Sequence, residues 1–211
     1  MWLAFYNQTA VGDVLLLTRT SIAKNLVETE SNQNVTLIKD GTNDEVVSIN
    51  IFEAAKTLGL DKLETDGQVL LTEDQVTKVN ELIQQAGFDV LVEVDNSPKF
   101  VVGYVESSEK VADSDHLTVT QTKVNEEETL QIVCGAANIS TGKHVLVAKP
   151  GAVMPSGMII WPGELRGVAS HGMICSTREL GLAELEDLPG IWELRPNFSV
   201  GTALEEVVEN Y

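Results

Sequence analysis

The chain changes character at Asn96-Ser97-Pro98, and this change constrains the fold more than any other local feature. All six prolines stand at or beyond Pro98. Proline has no backbone N–H and drives the residue before it toward extended conformations, so no helix runs through this point. Before it, alternating apolar runs are mixed with one strong helical stripe. Beyond it, short apolar runs are broken by glycine and proline, the texture of an all-β unit. Two domains are expected, residues 1–95 and 96–211.

The first stretch reads as α+β. Short apolar runs at 2–6, 14–18, 25–28 and 35–38 are punctuated by Gly12-Asp13 and Asp40-Gly41. Val47, Ile49 and Ile51 alternate with Ser48 and Asn50, which predicts a strand with one buried face. Thr72 and Gln75 form a capping box, with Leu71 placed to staple onto Val76. Val76, Val79, Leu82, Ile83 and Ala86 then share one helical face, and Gly87 is a natural stop. A shorter helix is expected over 53–58. An antiparallel sheet covered by one or two helices follows. No catalytic constellation is visible in this half, and its role is not legible.

The second stretch predicts strands at 100–106, 117–124, 129–134, 144–149 and 158–161, with Gly103 allowing a sharp bend. About five strands in this length suit an all-β five-stranded oligonucleotide-binding (OB) barrel with Greek-key connections. Short C-terminal additions follow: a turn at Pro189-Gly190, a strand at 191–194, and a helical turn over 203–208 capped by Thr202.

Charge argues against indiscriminate nucleic-acid binding. Fourteen basic residues face 32 acidic ones, a net of −18. Residues 1–95 carry 6 basic and 16 acidic side chains, and residues 99–182 carry 7 and 9. The β-rich half before the tail is therefore the least acidic, and a local basic patch fits there. The apolar runs are too short to span a membrane. The N-terminus has no charged leader ahead of an apolar core, so no signal peptide is expected. Cys134 and Cys175 form no CxxC pair and read as free thiols, which favours a cytoplasmic protein.

Several motifs fail on inspection. Six residues separate Gly135 from Gly142, where a phosphate loop needs four, and His144 replaces its Ser or Thr. Ser170-His171 sits in GVASHG, not GxSxG. Asp113, Asp115 and His116 lack the remaining ligands of a calcium loop. No catalytic residue, metal or cofactor is expected.

What remains is the stretch 165–182, LRGVASHGMICSTRELGL, with the upstream stretch 132–157. An RNA-binding face needs cations for phosphates, short polar groups for base edges or ribose, and an apolar platform for an unstacked base. Lys149, Arg166 and Arg178 supply the first, Asn138, Ser170 and Ser176 the second, and Met173 the third. Trp161 is the one aromatic residue nearby in sequence. The alternative is structural: glycines and serines building tight turns, and arginines paired with Glu164 or Glu179.

Between about Phe100 and Val208, VVGYV, IVCGAANI, VAKPGAVMPSG, LRGV-S-GMICS-ELGL and GIWEL…VGTALEEV occur in order. This series resembles the tRNA-binding domain of the bacterial phenylalanyl-tRNA synthetase beta chain, found also in methionyl-tRNA synthetases and in stand-alone tRNA-binding proteins. The resemblance implies an OB barrel that grips structured RNA, chiefly tRNA. By position it implies an RNA face of Asn138, Lys149, Arg166, Ser170, Met173 and Ser176. One departure is His116, which stands where relatives often carry lysine. The first 95 residues do not resemble the synthetase chain, and no aminoacylation site is present. The expectation is a bacterial, stand-alone, non-catalytic protein that binds tRNA or other structured RNA. No DNA or membrane partner is expected. By resemblance alone a homodimer is possible. The alternative is a protein-interaction module derived from such a domain.

Overall fold

A computed structural model describes residues 1–60, 67–112, 114–185 and 187–211. The chain divides into two compact units, Met1–Asn96 and Ser97–Tyr211.

The first unit is a six-stranded antiparallel sheet backed by helices. Its strands are β1 (Leu3–Tyr6), β2 (Val14–Thr18), β3 (Val27–Asn32), β4 (Val35–Asp40), β5 (Glu45–Phe52) and β6 (Gly67–Val69). They lie in the order β3-β4-β5-β2-β1-β6. The helices are α1 (Gln8–Val11), α2 (Ala54–Leu58) and α3 (Glu73–Gln85). Val47, Ile49 and Ile51 point inward at 3%, 0% and 0% exposure, as their alternation predicts. α3 begins at the expected box: the Gln75 N–H donates to Thr72 Oγ1 at 3.3 Å, and the Thr72 N–H donates to Gln75 Oε1 at 2.9 Å. Its stripe, Val79, Ile83 and Ala86, is buried against Leu15, Ile49 and Ile51. The apolar run at 25–28 is split between a single 3-10 turn, Lys24–Leu26, and the start of β3.

The second unit is a nearly closed antiparallel barrel. Its first four strands are β7 (Phe100–Lys110), β8 (Thr118–Lys123), β9 (Thr129–Cys134) and β10 (His144–Ala148). A small hairpin of β11 (Gly163–Leu165) and β12 (Val168–Ser170) follows, then β13 (Met173–Ile174), β14 (Glu193–Leu194) and α4 (Leu204–Asn210). The order is β13-β10-β7-β8-β9, with β14 added beside β10. The circuit closes where the His171 N–H donates to the Gln131 carbonyl at 2.8 Å. This is the connectivity of an OB barrel, with β13 as its fifth strand.

Two local expectations are corrected. Residues 158–161 do not form the fifth strand. Gly157 has φ +85, Ile159 makes one isolated bridge to Val153, and Pro162 denies the next backbone donor. The segment folds back on 151–154 as an irregular loop, with the Ile160 N–H donating to the Ala152 carbonyl at 2.8 Å. The cap of α4 is Ala203, without a side-chain bond, and not Thr202. Gly103 meets a tight environment: a Cβ there would lie 2.6 Å from Val147 Cγ2 and 2.9 Å from Thr122 Cγ2. The break in strand register falls slightly later, between Val105 and Ser107.

Candidate nucleic-acid interface

The β11–β12 hairpin forms a wall of two cavities on the barrel. Arg166 sits at its tip with φ +50, followed by Gly167 at φ +75, so the two residues between the strands take left-handed backbone to close the turn. Strand alternation on β8 and β9 buries Thr120, Thr122 and Ile132 inside the barrel. Gln121 and Gln131 stand on the opposite, outer face, where the Gln121 amide donates to Gln131 Oε1 at 3.1 Å. Gln131 in turn donates to the Ala169 carbonyl at 2.8 Å and so ties the hairpin down over that face.

The first cavity lies beside this outer face. It measures about 540 Å³ and is lined by Lys110, Gln121, Gln131, Arg166 and the carboxylate-bearing Glu109. Lys110 and Arg166 are exposed and make no ion pair among the described residues.

The second cavity, of about 610 Å³, holds Ser170, Met173 and Ser176 together with Trp161, Met158 and Leu165. Ser170 is 6% exposed. Its Oγ accepts from the Val133 N–H at 3.1 Å and donates to the Gly172 carbonyl at 3.4 Å. Gly172 is obligatory here, since φ is +143 and a Cβ would lie 2.9 Å from the Ala148 carbonyl oxygen. Ser176 opens a short turn whose box is completed by Glu179. The Ser176 N–H and Oγ–H donate to Glu179 Oε2 at 2.8 and 2.7 Å, and the Glu179 N–H donates back at 3.2 Å.

The other three candidates stand apart from both cavities and are held by protein partners. Lys149 Nζ lies 2.7 Å from Glu128 Oε2. Arg178 is paired with Asp187, which raises the guanidinium pKa and lowers that of the carboxyl. Asn138 braces the loop before β14: its amide donates to the Ile191 carbonyl at 3.1 Å and to Glu193 Oε1 at 2.9 Å, and the Ile191 N–H donates to its Oδ1 at 3.0 Å. Lys143 completes the brace, 2.5 Å from Glu193 Oε1, and its hydrogen bond holds the Glu193 carboxyl below its ordinary pKa.

Sequence reasoning missed Lys110, Gln121, Gln131 and Glu179. The β8 alternation places Gln121 outward, and the S-x-x-E spacing of Ser176 and Glu179 marks a capping box. The position of Lys110 beside Arg166 has no local signal. Asp113 lies outside the described residues. Among the described residues no three His, Cys, Asp or Glu side chains gather into a metal-holding group. No helix among them is long and apolar enough to cross a membrane.

An acidic α+β unit followed by an OB-type barrel defines a two-unit protein of the tRNA-binding-domain class. Residues 100–203 match the family model described as "Putative tRNA binding domain". Residues 23–95 match a "Domain of unknown function (DUF4479)". The chain is 45% identical over 202 residues to the "Putative tRNA-binding protein YtpR" of Bacillus subtilis (strain 168), covering 96% of this chain and 98% of that protein. The chain belongs to the YtpR family. The barrel is also 56% identical over 102 residues to the phenylalanine–tRNA ligase beta subunit of Oceanobacillus iheyensis, which is 48% of this chain and 12% of that subunit. A solved structure, the MetRS related protein from Pyrococcus horikoshii, aligns with TM-score 0.36 at 20% identity over 64% of this chain and 97% of that one. The resemblance read from the motifs therefore holds, including the additional N-terminal domain.

Proposed function

We propose that the protein binds tRNA through its C-terminal barrel and catalyses no reaction. The observation that carries this reading is the cleft where Arg166 and Lys110 flank Gln121 and Gln131 on the outer face of β8 and β9. In OB barrels the face of the second and third strands, with the adjoining loops, is where oligonucleotides lie. Two cations that make no ion pair among the described residues suit phosphates, and the glutamine amides suit ribose hydroxyls or base edges. The name of the Bacillus subtilis relative agrees with this ligand. The free thiols Cys134 and Cys175 fit the reducing cytoplasm in which tRNA is found.

The second cavity, with Ser170, Met173 and Ser176, receives an unstacked base. Lys149 and Arg178 play a smaller part than Arg166, because Glu128 and Asp187 already neutralise them. The acidic N-terminal unit opposes non-specific attachment to nucleic acid.

A titration of total tRNA against the full chain at low and near-physiological salt tests this. Saturable binding that weakens with salt is expected. Arg166→Ala and Lys110→Ala should each lower the salt slope by about one phosphate's worth. No binding even at low salt overturns the reading and leaves a protein-docking module.

A further inference from the structure

The two cavities sharing the β11–β12 hairpin have opposite chemistry. The cleft at Arg166 carries two cations, Arg166 and Lys110, against one carboxylate, Glu109. Among the described residues the larger cavity carries a single charged side chain, the carboxylate of Glu179, beside walls formed by Trp161, Met158, Met173 and other apolar groups. Glu179 is itself exposed, so its carboxylate stands at the solvent side of that apolar wall, where it repels phosphate and favours a ligand that offers N–H donors. The cavity's volume, about 610 Å³, lies within the range of ordinary small-ligand sites.

Most polar groups on that wall are already committed. Ser170 Oγ serves Val133 and Gly172. Ser176 Oγ serves both the carboxylate and the N–H of Glu179. The capping box occupies Glu179 Oε2 twice and so pins the carboxylate in place. Two side-chain groups stay uncommitted among the described residues: Oε1 of Glu179, an acceptor, and the indole N–H of Trp161, a donor.

We propose that this cavity is a guanine pocket, in which Glu179 reads the Watson–Crick edge of one unstacked guanine. Among the four RNA bases, guanine alone presents two adjacent N–H donors on that edge, N1–H and the N2 amine, beside a carbonyl that accepts, and the two lone pairs of the free Oε1 are what would receive them. Adenine and cytosine set a ring-nitrogen lone pair next to their amine, against the carboxylate. Uracil flanks its single N–H with two carbonyl oxygens. Each wrong base leaves a polar group facing an unsuitable partner, which discriminates more strongly than a change of apolar shape does. Trp161, Met158 and Met173 supply the apolar surface on which a flat base rests. The inference rests on the RNA-binding reading for its biological ligand, but the chemistry of the pocket stands on the cavity itself.

The test uses the full chain with guanosine, inosine and adenosine, followed through tryptophan fluorescence and calorimetry. Guanosine is expected to saturate and to bind at least about tenfold more tightly than adenosine, with inosine between them because it lacks the N2 amine. Glu179→Gln keeps the capping box, since glutamine serves equally in it, but replaces the free acceptor with a donor. It should abolish the preference. Equal binding of guanosine and adenosine by the unaltered protein, or a preference that survives in Glu179→Gln, overturns the proposal. Nucleosides carry no phosphate, so the two readings fail separately. tRNA binding without nucleoside preference removes only the guanine pocket. Guanosine preference without tRNA binding removes only the tRNA reading.

Discussion

Lys149 Nζ lies 2.7 Å from Glu128 Oε2, so a cation suited by sequence to phosphate is held by the turn between β8 and β9. The lysine side chain is 17% exposed and the glutamate 41%, so the pair is partly open to screening by salt. Lys149→Ala should therefore change tRNA affinity by less than about threefold and leave the salt slope unchanged. Glu128→Ala should do the opposite: it frees the ammonium, tightens binding and steepens the salt dependence by up to about one unit. Titrations at several salt concentrations separate these outcomes, and a large loss in Lys149→Ala would show that the lysine leaves Glu128 for RNA.

Asn138 supports the fold more than it offers itself to a ligand. Its side chain makes three hydrogen bonds to Ile191 and Glu193. Asn138→Ala leaves the Ile191 backbone groups without these partners and should cost about 1–3 kcal/mol, read from urea or thermal unfolding. If stability is unchanged and tRNA binding falls, the residue belongs to the RNA face instead.

Cys175 has no exposed surface, and burial pushes its thiol up to about 12, with the Glu179 charge adding to the effect. The thiolate is the reactive species. Labelling by a thiol reagent near pH 8 should therefore be negligible in the folded protein and should rise only with denaturant. Rapid native labelling of this residue would contradict the packing of β13 and the segment that follows it.

Glu193 carries a pH dependence with a definite sign. Its carboxyl is depressed chiefly by the hydrogen bond from Lys143. A depressed carboxyl contributes stability above the unfolded value, about 4.3, and that contribution is lost as pH falls through the lower folded value. Lys143→Met should therefore lower the Tm at pH 6 and narrow its difference from the unaltered protein toward pH 3. A difference that grows on acidification would reverse the assigned sign.

Much of the first unit was legible because its signals are local. The Thr72–Gln75 box and the stripe of Val79, Ile83 and Ala86 sit within four turns of one helix, and the alternation of Val47, Ile49 and Ile51 lies on one strand. The fifth barrel strand was not legible. Residues 158–161 have a strand's composition, yet Gly157 and Pro162 bend the backbone away from a ladder. The strand that closes the barrel, Met173–Ile174, is too short to show any period. It is defined by its partner β10, which lies more than twenty residues away in sequence.

The residue types of the interface were equally visible, but their grouping was not. Motif order by itself carried the resemblance to an OB-type barrel, and composition placed cations, small hydroxyl residues and apolar side chains in the second half. Tertiary structure alone decided that Arg166 faces Lys110, that Lys149 and Arg178 are already paired, and that Ser170, Met173 and Ser176 share a cavity with Glu179. The reason is physical. Capping and periodicity act over a few residues and are written in spacing. Charge pairing and cavity lining act through space, between segments brought together only when the barrel closes.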